Sequence, residues 1–250
     1  MEEQISGRHS GSPRAAKGLR QSQFPFFIAF LCLVFVVVAG VQTTTWSQSI
    51  VLALAQATFL ISLILLPHVP DRFAGDLKTA LKSISFKPTF GFGAATNLLF
   101  CVASLSILLL FPAVRNEFDV LLTKNSFSIE NLIFWVVAPF GEEAFFRGLV
   151  LSYLVLFGSN HEKESKDSSY FFPVYISSLI FFLFHWPVDL NVWAEAWKAG
   201  FIPLNFGPFF LGIWLGFVCL KDSSLFWCVF GHSLANFFAP LWSLFLLNLV

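Results

Sequence analysis

Charge is what this sequence lacks most: Asp, Glu, Lys and Arg make up 12% of its 250 residues, against 56% hydrophobic ones. Soluble domains carry about a quarter charged residues, so the polar side chains needed to cover a water-facing exterior are missing and lipid is the expected solvent. Basic and acidic residues balance at 15 each. Without a basic stripe or aromatic–basic interleaving, nucleic acid is set aside as a partner. Cysteine is equally sparse. Cys32, Cys101, Cys219 and Cys228 all lie in apolar runs and none has CxxC spacing, so they read as small packing residues rather than a disulfide framework or zinc knuckle. There is no internal repeat. No A-x-A-like site follows the first apolar run, which is therefore read as a retained helix and not a cleaved signal peptide.

What is present is a series of apolar runs, at 24–41, 50–66, 89–114, 131–157, 170–186, 201–220 and 224–250. A bilayer core takes about 20 apolar residues per helix, and these runs are too long and too unalternating for barrel strands. The fold expected is all-α: a polytopic transmembrane helical bundle of seven spans, with an extra amphipathic turn near 192–199. Residues 1–23, polar with four basic side chains, read as a disordered tail, leaving 24–250 as one transmembrane domain. The connectors at 68–87 and 158–169 read as polar and solvated. Together with the tail and Lys221 they hold most of the Lys and Arg, while Arg115, Lys124 and Lys198 fall on the other side. The positive-inside rule then puts the N-terminus in the cytoplasm. Trp46, Trp186, Trp193, Trp197, Trp227 and Trp242 sit near run ends as interface anchors, and Gly212 and Gly216 form a step that lets two helices approach.

Against that background, ionisable side chains inside the runs stand out, each costing about 2.5–3.5 kcal/mol at the bilayer centre on insertion scales. Glu142, Glu143 and Arg147 lie together in the fourth run. Glu143 and Arg147 are four apart with the acid first, the favourable order for a helical ion pair. Glu142 points about 100° away and has no partner within its own helix, which suits a general base. His185 follows Phe181 by one turn near the end of the fifth run, and His232 and Asn236 share a face of the last. Each alone reads as inter-helical glue. As a set on three helices, they can converge on one buried polar pocket.

These segments resemble the three motifs of the CAAX protease and bacteriocin-processing (Abi) family of intramembrane endopeptidases: EExxxR at Glu142, Glu143 and Arg147, FxxxH at Phe181 and His185, and HxxxN at His232 and Asn236. The resemblance covers roughly 133–240. The N-terminal half matches only in being helical and apolar. It implies a bundle of seven to eight spans and a glutamic-type peptidase. Glu142 with His185 would activate a water, His232 and Asn236 would donate to the tetrahedral oxyanion, and Glu143, Arg147 and Phe181 would support the site. No cofactor is implied. The partners expected are a membrane-proximal peptide or protein substrate and the lipid bilayer, in a prokaryotic cell (inner) membrane.

Three other readings use the same residues. Zinc could be held by Glu142, His185 and His232, although no HExxH pair fixes two ligands on one helix. The pocket could relay protons, though no broken-helix pair or repeat supports transport. Or the scaffold could serve as a non-catalytic membrane partner or immunity protein.

Overall fold

A backbone in lipid closes its hydrogen bonds within each segment, and every one of the seven apolar runs contains a helix. The computed structural model describes residues 26–34, 48–82, 85–124, 133–158, 170–185 and 206–249. In chain order the described helices are α1 (26–34), α2 (Gln48–Leu65), α3 (Asp71–Lys82), α4 (Phe92–Leu110), α5 (Pro112–Lys124), α6 (133–158), α7 (Phe171–Phe184), α8 (Gly207–Asp222) and α9 (Phe226–Leu247). The polar tail, most of the loop at 158–169, the turn near 192–199, and Trp46, Trp186, Trp193 and Trp197 lie outside the described residues. Among those residues, the helices long and apolar enough to cross a membrane are α4 and α9. Leu98, Leu99, Val102, Leu105, Leu109 and Leu110 leave more than half of each side chain exposed on α4. An apolar face of that size suits lipid.

Two stretches differ from the sequence expectation. The run at 89–114 divides at Phe111, whose extended backbone precedes Pro112, because the residue before proline is pushed out of the helical region. Beyond this break, α5 keeps Arg115, Asn116, Glu117 and Asp119 exposed and turns Val114 and Phe118 onto Phe238 and Leu241 of α9. The connector at 68–87 is likewise partly helical. In α3, Leu77 and Ala80 enter the core while Lys78 and Asp71 pair at 2.7 Å on the wet side, and Lys78 holds the Asp71 carboxyl below its ordinary range.

Helix α6 is the centre of the fold. It is helical without a break from 133 to 158, but Ile133–Val137 and Ala144–Leu151 are wound as π-helix on either side of an α-helical Ala138–Glu143. Such widened turns recur at functional sites. Phe145, Phe146, Leu149, Val150 and Leu151 are fully enclosed, with Phe145 and Phe146 packed against Phe59 of α2 and Phe184 of α7. Helices α7 and α8 meet through the two glycines. A methyl on Gly212 would stand 2.9 Å from Ser178 Cβ, and one on Gly216 3.0 Å from Val174 Cγ1. Overpacking costs about 1–3 kcal/mol, so Gly212→Val is expected to lower the detergent melting temperature of the purified protein. An unchanged melt would show that the two helices separate freely.

A clasp joins the ends of α8 and α9 to the start of α4. Asp222 accepts from the backbone N–H groups of Phe92 (3.0 Å) and Gly93 (2.7 Å), two donors that α4 cannot satisfy internally. Ser224 Oγ donates to Lys87 O, and Leu225 N–H donates to Ser85 O.

Candidate active site

Glu142 and Glu143 are consecutive, so α-helical geometry aims them at different neighbours. Glu143, completely buried, takes Arg147 Nη1 on Oε1 at 3.0 Å. The same oxygen accepts from His232 Nδ1 at 2.7 Å. The brace expected within α6 is therefore present and extends across to α9.

Glu142 faces the other way. Its Oε2 lies 3.3 Å from His185 Nε2 and 3.8 Å from His232 Nε2. His185 sits just past the last turn of α7, where its Nδ1–H donates to Phe181 O at 2.8 Å. A carbonyl and a carboxylate only accept, so both histidines spend their Nδ1 protons on Phe181 and Glu143 and turn Nε2 towards Glu142. A neutral Nε2 and a carboxylate both carry lone pairs. Something with positive character, such as a proton or a water's hydrogens, belongs between them. His185 has a side chain one-third exposed, against 9% for Glu142 and 4% for His232. His185 is therefore the most exposed member of this trio.

Phe181 fits between these groups. The Arg147 guanidinium stands 4.3 Å above its ring, His185 packs 4.2 Å from it, and His232 meets it edge-on at 5.8 Å. Cation–π attraction to a desolvated guanidinium explains an aromatic here rather than an aliphatic side chain. Asn236 lies one turn beyond His232 on α9 and is half-buried.

Glu142, Glu143, Arg147, Phe181, His185 and His232 thus come together from three helices. Sequence reasoning missed a fourth helix. Gln56 of α2, buried among apolar neighbours, donates from Nε2 to Glu142 Oε1 at 2.6 Å. It is the one carboxamide in the run at 50–66, and the cost of burying it was the signal that could have found it. The N-terminal half therefore supplies more than apolar scaffold. All four cysteines are free, and Cys219 and Cys228 are buried among apolar residues, consistent with packing. Among the described residues, no three His, Cys, Asp or Glu side chains are grouped as they stand in a way that could hold a metal ion.

Residues 124–238 match the family model described as type II CAAX prenyl endopeptidase Rce1-like, a stretch that contains α6 to α8 and the part of α9 bearing His232 and Asn236. No curated protein and no solved structure matches the chain. The apolar helices and this match together indicate an integral membrane protein. With a buried Glu–His cluster inside it, the matched stretch 124–238 is similar to the Rce1-like domain of the CAAX protease and bacteriocin-processing family of peptidases.

Proposed function

We propose that the protein is an intramembrane glutamic-type endopeptidase in which Glu142 and His185 activate a water for attack on a peptide carbonyl. The observation that carries this is Glu142 Oε2 facing an imidazole Nε2 from each of two other helices, at 3.3 and 3.8 Å. The carboxylate takes a proton as the water oxygen bonds to the carbonyl carbon, and that proton goes on to the leaving amine. Negative charge then develops on the carbonyl oxygen, where preorganised donors in a dry site have their largest effect. Asn236 donates there from its amide. His232 donates from Nε2 when its ring carries a second proton, since Nδ1–H is committed to Glu143. Glu143, Arg147 and Phe181 hold these groups in place. The substrate is a peptide or protein presented at the membrane, and the family's description as a prenyl endopeptidase makes a prenylated one the first class to try.

The proposed setting is one helical membrane domain over 24–250 after a polar tail over 1–23, with seven to eight spans, the N-terminus in the cytoplasm, and a prokaryotic inner membrane as host. In a pool of quenched, lipid-anchored peptides, the purified protein should show turnover that His185→Ala lowers by about 10²- to 10⁴-fold, the usual contribution of a positioned proton-transfer group. Wild-type-like turnover by His185→Ala would remove it from the reaction.

A second reading is favoured by one feature, the two Nε2 atoms left facing Glu142 after both Nδ1–H groups are committed. Acceptors of that kind behind the ring orient histidines towards zinc. Glu142, His185 and His232 would then be the ligands and the ion would polarise the carbonyl. Metal analysis decides between them: the glutamic reading requires full turnover in chelator-treated protein with no bound metal, and turnover that tracks zinc content would replace it.

A further inference from the structure

Gln56 lies in α2, outside the matched stretch of 124–238, yet donates a hydrogen bond that fixes the orientation of Glu142 from the N-terminal half. We propose, resting on the peptidase reading above, that Gln56 is a positioning residue. By holding Oε1 of Glu142, it leaves Oε2 as the oxygen that serves the water and His185. Three observations support this. First, the contact is short, 2.6 Å between Gln56 Nε2 and Glu142 Oε1, and both side chains are buried. Second, the other end of the amide, Gln56 Oε1, is buried with no hydrogen-bond partner among the described residues. A side chain kept only to join two helices would have both ends satisfied, because an orphaned buried carbonyl is destabilising. Gln56 bears that penalty for the sake of its donor. Third, α6 has no side chain where the amide enters, and a methyl on Gly141 would stand 2.5 Å from Gln56 Oε1.

A carboxylate with both oxygens loose can rotate and offer either one. Pinned by an N–H on one side, it presents a fixed base. Glutamine is suited to the task because it donates at every working pH and adds no second charge beside Glu142 and Glu143. Misplacing a reacting group by about 1 Å can cost about 100-fold.

The test uses the full-length protein in detergent with the lipid-anchored peptide pool, comparing wild type, Gln56→Leu, Gly141→Ala, the double variant and Glu142→Gln. Gln56→Leu is expected to lower kcat about 10- to 100-fold. KM should stay within about twofold, and the melting temperature should be unchanged or higher. Gly141→Ala should act on the same contact by crowding the amide. In the Gln56→Leu background it should cause little further loss, because leucine lacks the Oε1 atom and the next atom of Gln56 stands 3.6 Å from the new methyl. A Gln56→Leu protein with wild-type kcat overturns the inference and leaves the peptidase reading intact, provided Glu142→Gln is inactive. So does a loss of activity matched by a fall in melting temperature, which marks a purely structural role. Turnover by Glu142→Gln, or none by wild type, removes the peptidase reading and the inference with it.

Discussion

Glu142→Gln is expected to remove turnover by about 10⁴-fold, the upper end for a general base, while leaving the protein folded. The change replaces one oxygen by an NH₂ and keeps the shape. With its carbonyl towards α2, the new amide still accepts from Gln56 Nε2, the 2.6 Å contact of the native side chain. Its NH₂ then faces the Nε2 atoms of His185 and His232, which accept from it when neutral. Every packing contact survives and one charge leaves the interior, so stability should hold or rise. What is lost is the carboxylate oxygen that faces both imidazole Nε2 atoms. An amide cannot take a proton from water near neutral pH.

The second large effect concerns stability. Arg147→Met is expected to cost about 3–5 kcal/mol, because removing one partner of a buried ion pair leaves the other charge uncompensated. Arg147 and Glu143 are 1% and 0% exposed, so solvent cannot replace the missing partner. Methionine fills much of the volume over Phe181 but forfeits the cation–π contact at 4.3 Å. The pair carries its own penalty, since Glu143 Oε2 and Arg147 Nη2 are buried without hydrogen-bond partners among the described residues. Removing both charges should therefore recover much of the loss. Glu143→Gln with Arg147→Met keeps a carbonyl to accept from His232 Nδ1 and has no buried charge to orphan. Thermal unfolding in detergent checks this. A double variant as unstable as Arg147→Met would mean that packing, not the unpaired carboxylate, sets the cost.

The contrast between the two glutamates was legible in the sequence because it depends on local geometry. Four-residue spacing pairs Glu143 with Arg147, and one step along the helix turns Glu142 away from both. The same logic placed Phe181 beside His185. The helices in the seven apolar runs were legible too, since hydropathy reports them directly. Contacts between distant parts of the chain were not. Gln56 reaches Glu142 across 86 residues, and nothing on its own helix marks it beyond being a carboxamide among apolar neighbours. His232 looked like a donor in waiting, but its bond to Glu143 fixes which ring nitrogen faces the site, and no spacing rule encodes that. Helices α3 and α5 were hidden for a different reason. The buried residues described there, Leu77 and Ala80 or Val114 and Phe118, are too sparse to raise a mostly polar segment above the background of a connector. The widened turns of α6, at Ile133–Val137 and Ala144–Leu151, leave no trace in composition.

Turnover is assigned to one carboxylate, and single-turnover cleavage by purified Glu142→Gln, at a folded fraction matched to wild type by its melt, tests that most directly. The expected result is a well-folded protein with no detectable bond cleavage on the timescale of many wild-type turnovers. A single-turnover rate close to that of wild type would contradict the account, whatever the other residues of the cluster do.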